Sequence, residues 1–119
     1  MSNTRVINRV LIANRGEIAV RIIQACRAMD MESVLACSII DKNSLAARMA
    51  TRIICIGPAA ASESYLNIST LITSALETGC DALHPGYGFL SENTGFAQAV
   101  QSAGMIFIGP STAAIDQMG

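Results

Sequence analysis

Five short apolar runs, at residues 9–13, 33–37, 52–56, 81–83 and 105–108, alternate along the chain with segments of helical period. No other feature constrains the fold as much. A strand that leads through a helix to a further strand closes as a right-handed parallel unit, and several such units build one sheet. The first run is followed by a helix over 16–29, with Ile18, Ile22, Ala25, Cys26 and Met29 on one face. Its other face carries Glu17 and Arg21, an i,i+4 pair in the better orientation. The second strand, open to extension through Ile39 and Ile40, precedes a short helix over 42–50. Gly57-Pro58 stops the third strand, and a loop over 59–64 follows. A further helix has Ile68, Leu71, Ile72, Ala75 and Leu76 in register, with Gly79 as its left-handed cap. After the fourth strand, Asn93 or Thr94 caps a helix that runs through Ala103 and ends at Gly104. The fifth strand leads through Gly109-Pro110 to a final helical turn from Ser111. The expected fold is α/β: a three-layer, Rossmann-like domain on a mainly parallel five-stranded sheet, in the order 3-2-1-4-5.

At 119 residues the chain suffices for one domain, 1–119, with its own core, and is too short for two. Hydrophobic residues make up 51% and charged residues 14%, against roughly 25% charged in ordinary soluble domains. Strands buried on both faces account for this, and so does a surface covered by another domain or subunit. A net charge of −1 without a basic cluster leaves no electrostatic footprint for nucleic acid. No apolar stretch approaches the roughly 20 residues of a membrane span, and the start reads as neither signal nor transit peptide. The cytoplasm is the expected compartment. Cys26, Cys37, Cys55 and Cys80 form no Cys-x-x-Cys pair and have one His between them all, which argues against zinc. They are read as buried, reduced thiols, and no metal site is expected.

Chemistry concentrates in His84-Pro85-Gly86-Tyr87-Gly88-Phe89-Leu90-Ser91-Glu92-Asn93. In the order 3-2-1-4-5 the loops after the first and fourth strands lie side by side at the carboxyl edge. Asn14-Arg15-Gly16-Glu17 and the His84 to Gly88 turn therefore face one crevice. Pro85 holds His84 extended, and Gly86 and Gly88 are free to take positive φ. Tyr87, between those glycines, is placed to project toward a ligand or a neighbouring domain. The plainer readings make His84 a hydrogen-bonded turn residue and Glu92 a carboxylate favoured by a helix dipole. Asn14 and Arg15 offer an amide and a guanidinium to a carboxylate or phosphate; alternatively Arg15 pairs with Glu17 or a neighbouring domain. Gly16 alone does not make a dinucleotide fingerprint, and no phosphate-binding Gly-rich loop is present. One His and no Gly-x-Ser-x-Gly support no nucleophilic triad, so no catalytic residue is assigned.

Five blocks carry a family resemblance: L-I-A-N-R-G-E-I-A at 11–19, C-I-G-P at 55–58, S-Y-L-N-I at 64–68, H-P-G-Y-G-F-L-S-E-N at 84–93 and I-F-I-G-P at 106–110. In order and spacing they resemble the amino-terminal domain of biotin carboxylase, across about Asn8 to Gly119. The resemblance implies a Rossmann-like domain that precedes an ATP-grasp domain. It also implies the family reaction. MgATP activates bicarbonate as carboxyphosphate, and the CO2 released carboxylates a ureido nitrogen of biotin carried on a carrier protein or domain. On this likeness Tyr87 matches the tyrosine near the biotin pocket, and His84, Gly86 and Gly88 shape the same turn. Asn14, Arg15, Gly16 and Glu17 match a first-turn motif of structural or inter-domain role. Arg21 matches a helix that contributes to homodimer contact in the acetyl-CoA carboxylase type. Gln24 stands where that type has a second arginine, and Ala46 and Thr51-Arg52 stand where His and Asp-Glu are usual. The family pattern continues past Gly119 into the parts that bind ATP, so a fragment, inactive alone and without a tightly bound cofactor, is expected. The acceptor is chosen by other domains. Two other classes compete: a non-catalytic Rossmann-like module binding a nucleotide or partner, and a receiver-type signalling domain. The latter needs an acidic pair where Ala13-Asn14-Arg15 stands.

Overall fold

The computed structural model describes residues 6–109. Strands β1 (Arg9–Ile12), β2 (Glu32–Ser38), β3 (Arg52–Gly57), β4 (Ala82–His84) and β5 (Ile106–Phe107) form one sheet. Every pairing is parallel and the order is β3-β2-β1-β4-β5, as the alternation of elements predicts. The helices are α1 (Gly16–Ala28), α2 (Leu45–Met49), α3 (Ile68–Glu77) and α4 (Thr94–Ser102).

The central strands read as unbroken apolar runs because both faces are covered. Leu11, Val34, Ala36 and Leu83 point to a cluster with Leu71 and Ala75 of α3 and Phe96, Ala97 and Val100 of α4. Val10, Ile12, Leu35, Cys37 and Ala82 point the other way, to Ala19, Ile22, Ile23 and Cys26 of α1 and Ala46 and Ala47 of α2. Each fully buried Leu, Ile or Phe stabilises the fold by roughly 1.5–3 kcal/mol. Side chains set the helix starts. Asn67 Oδ1 accepts from Thr70 N at 3.1 Å at α3, and Asn93 Oδ1 accepts from Phe96 N at 2.8 Å at α4. At the end of α3, Gly79 takes φ +70 and Cys80 N donates to Ala75 O at 2.9 Å, the left-handed cap expected there.

Several boundaries depart from the sequence reading. Ile39 and Ile40 do not extend β2; they are exposed on a 3-10 turn, Ile39–Asp41, that carries Asp41 inward. The short helix starts at Leu45, where Ser44 caps it, and not at Lys42. A second 3-10 turn, Ala61–Glu63, lies in the stretch read as loop. Met29 caps α1 instead of continuing it. Cys26, Cys37 and Cys80 are buried thiols, but Cys55 is exposed because it lies on the edge strand β3, opposite Cys37. The helical turn from Ser111 falls outside the described residues. Among the described residues no helix is long and apolar enough to cross a membrane.

Candidate functional site

Register brings the two loops together. Ile12 pairs with His84 across β1 and β4, and Ala13 N donates to His84 O at 2.9 Å. The chain then leaves both strands at the same edge, and Asn14 bridges the gap. Its side chain is buried; Nδ2 donates to Pro85 O at 2.8 Å and to Tyr87 O at 2.7 Å, while Oδ1 accepts from Arg15 N at 2.8 Å. One amide thus serves three backbone groups, none of which has a partner in a strand or helix ladder. The clamp needs bare backbone opposite it. Gly86 has φ +69, and a Cβ there would sit 2.8 Å from both Asn14 Nδ2 and Ile18 Cγ2.

His84 is the hydrogen-bonded turn residue of the plainer reading: its Nδ1 accepts from Gly86 N at 3.0 Å. That bond requires Nδ1 without a proton, so the neutral ring carries its hydrogen on Nε2. Burial also lowers the His84 pKa from its ordinary value, favouring the same neutral form. Tyr87 projects as expected, 79% exposed. Beside it lies a groove of about 790 Å³ between α1 and the β4–β5 side of the sheet. Ile18, Ile22, Met29 and Ile108 line it, together with Glu17, Arg21, His84 and Tyr87. Of the two loop motifs, Glu17 from the first and His84 and Tyr87 from the second reach this groove; Asn14 is buried beneath the turn and Arg15 points elsewhere. Glu17 Oε1 and Arg21 Nε are 3.7 Å apart and both side chains are exposed, a pairing that contributes little to stability.

Arg15 does not pair with Glu17; its Nε donates to Asp41 Oδ2 and Nη2 to Asp41 Oδ1, each at 3.0 Å. Asp41 is 9% exposed, and Ser38 Oγ at 3.0 Å and the Tyr65 hydroxyl at 2.6 Å also donate to it. Burial alone would raise the Asp41 pKa, but hydrogen bonds from Arg15, Tyr65 and Ser38 outweigh it and hold the carboxyl below its ordinary value. The Tyr65 phenol is pushed up to about 12 by burial and by its bond to Asp41. Sequence reasoning missed this network. The available signal was topological: a guanidinium at the carboxyl edge needs a carboxylate, and the loop after β2 brings Asp41 to that edge.

Tyr65 in turn stacks on Phe89, with ring centroids 5.0 Å apart and planes at 11°. Phe89 has φ +44, a left-handed conformation that costs a non-glycine residue roughly 1–2 kcal/mol. Such strain persists where the surroundings over-determine it, and it collects near ligand sites. Among the described residues no group of three His, Cys, Asp or Glu is placed to hold a metal ion. Burial pushes the Cys26 and Cys80 thiols up and Cys37 to about 11, so these stay protonated and inert near neutral pH. What the edge offers is a surface of exposed phenol, neutral imidazole and apolar groove.

The chain matches the family described as biotin carboxylase, N-terminal domain, over residues 6–115. It is 51% identical over 113 residues to Biotin carboxylase 1 of Bacillus subtilis (strain 168), covering 95% of this chain and 25% of that protein. To the mitochondrial propionyl-CoA carboxylase alpha chain of Sus scrofa it is 47% identical over 118 residues, covering 99% of this chain and 16% of the other. Among solved structures, it resembles the biotin carboxylase domain dimer of Hydrogenobacter thermophilus 2-oxoglutarate carboxylase, in complex with MgADP, ADP and bicarbonate. The TM-score is 0.91 at 40% identity, over 98% of this chain and 25% of that one. The chain thus spans a quarter or less of the length of these relatives.

Proposed function

Because the chain belongs to the family of biotin carboxylase N-terminal domains, we propose that it builds one wall of the biotin site in an ATP- and bicarbonate-dependent carboxylase. The observation that carries this is the loop from His84 to Asn93, pinned by Asn14 at the carboxyl edge so that Tyr87 stands exposed beside the groove. Biotin is an apolar bicycle with a polar ureido edge, and a phenol ring with one polar tip suits it. Asn14, His84, Gly86 and Gly88 hold the wall in place. The same turn residues, Arg15, Gly16 and Glu17 included, form the boundary with the ATP-grasp part of the complete protein.

In this reading MgATP activates bicarbonate as carboxyphosphate, and the CO2 released is captured by biotin on a carrier protein or domain. In the same reading the groups that bind MgATP belong to the ATP-grasp part of the complete protein. Arg21, exposed on α1, belongs to a homodimer contact. Relatives are named for acceptors as different as propionyl-CoA and 2-oxoglutarate, so the acceptor is chosen outside this domain, in acetyl-CoA carboxylase or a related carboxylase. Free thiols suit a reducing compartment, and the cytoplasm is the proposed location.

The test is ADP release by the natural gene product that carries this chain. Turnover that requires both biotin and bicarbonate is expected, and the 119-residue chain by itself should give none. A folded gene product without biotin-dependent turnover would overturn the proposal in favour of a non-catalytic nucleotide- or partner-binding module.

A further inference from the structure

Asp41, Tyr65 and Phe89 do not line the groove. Asp41 nevertheless gathers donors from three separate segments: Arg15 after β1, Ser38 at the end of β2, and Tyr65 before α3. The Tyr65 hydroxyl is fixed on two sides, donating to Asp41 at 2.6 Å and accepting from Ser38 N at 3.1 Å. Its ring therefore has a set plane, and Phe89 stacks on that plane at 5.0 Å. Phe89 lies two residues beyond Tyr87 in the same loop and is held at φ +44.

We propose that Asp41, Tyr65 and Phe89 form a positioning relay that sets the loop presenting Tyr87, so that biotin affinity depends on residues that never touch biotin. The inference rests on the function proposed above. The need for it follows from the glycines. Asn14 holds the loop at the carbonyls of Pro85 and Tyr87, and its hydrogen bonds reach no further along the loop. Gly88 follows at φ +71 with open space around it, so the backbone has a pivot directly after Tyr87. Beyond that pivot the loop is held by Gly88 O accepting from Ser91 N at 2.9 Å, by buried Leu90 and by Phe89 stacked on Tyr65, and the stack is the contact that ties this end of the loop to Asp41. Asp41 and Tyr65 act here as supports and not as proton carriers. The carboxyl is held ionised and the phenol, pushed to about 12, is held neutral across the physiological range.

The experiment uses the natural gene product in three variants, Phe89→Ala, Phe89→Tyr and Tyr65→Phe. Loss of a stacked pair is expected to raise the KM for free biotin roughly two- to tenfold in Phe89→Ala. The KM for ATP and kcat at saturating biotin should stay near wild type, and Phe89→Tyr should restore the biotin KM. Tyr65→Phe keeps the ring and frees it from Asp41, so a smaller rise in the same direction is expected. It also serves if Phe89→Ala does not fold. Amide hydrogen exchange over residues 85–91 supplies a readout independent of turnover. It should quicken in Phe89→Ala and Tyr65→Phe while α3 and the central strands keep wild-type rates. Wild-type protein without biotin-dependent turnover would remove the function reading and leave the exchange result to decide the relay. Unchanged biotin KM and unchanged exchange over 85–91, beside a lowered melting temperature, would reduce the three residues to ordinary packing.

Discussion

Asn14 shows how one side chain converts sheet register into a fixed loop at the carboxyl edge. Replacing it with Ala leaves the Pro85 and Tyr87 carbonyls without their donor, and we expect a loss of about 2–3 kcal/mol. A lower urea midpoint with unchanged slope would report it; a change within error would show that water replaces the amide at no cost. Tyr87→Ala should behave oppositely. The ring is 79% exposed, so the melting temperature should hardly move while the KM for biotin rises. An unchanged KM beside a large fall in melting temperature would make Tyr87 a packing residue. His84 gives a pH dependence. Its folded pKa lies below its ordinary value of 6.5, so the unfolded chain binds the extra proton first as pH falls. Stability from this group is complete above about pH 6.5 and is lost as pH drops from there through the lower folded value. Protonation at Nδ1 also ends the bond from Gly86 N. His84→Gln should flatten the stability profile in that window, and a profile of unchanged slope would remove His84 as its source. The turn at His84 and the projecting Tyr87 were legible because Pro85 restricts His84 and the two glycines permit the positive φ that the turn uses. The partner of Arg15 was not, because Asp41 lies 26 residues away and no local rule joins them.

Elements were legible where burial and chain chemistry agree. β1 and β2 are covered on both faces, and their apolar runs announced them. The end of β2 misled for the opposite reason: Ile39 and Ile40 are apolar yet 57% and 65% exposed, so hydrophobicity there reports no strand. What turns the chain is the pull of Asp41 toward Arg15, Ser38 and Tyr65, a tertiary effect invisible to local pattern. Helix starts were easier, since a cap is written within four residues. Asn93 is such a cap, and it starts α4, which carries the fully buried Phe96 and Val100. Asn93→Ala should cost about 1 kcal/mol and Asn93→Ser much less. Equal losses in both variants, measured by denaturant unfolding, would show that the asparagine acts otherwise than as a cap.

At the scale of the whole molecule the sheet order fixes which loops meet, and it also fixes which edge stays open. β3 pairs only with β2 among the described residues, so one side of its backbone has no strand partner. Native proteins protect such edges with charge, proline or a covering element. Here Arg52 opens the strand, but Ile53 is 40% exposed, and Ile39 and Ile40 between β2 and α2, and Leu45 at the start of α2, are exposed as well. With a net charge of −1, electrostatic repulsion between copies is weak. The 119-residue chain should therefore self-associate as its concentration rises. Ile53→Lys places a charge on the open strand, and the lysine stem can keep much of the cover that the isoleucine has while its ammonium reaches solvent, so the melting temperature should stay within about 3 °C. Sedimentation velocity across a concentration series separates the cases. A shift of the variant toward monomer, with unchanged melting, assigns the association to the β3 edge. If the variant associates as strongly as the parent, the contact lies elsewhere, and the groove beside α1, lined by Ile18, Ile22 and Met29, becomes the surface to mutate next.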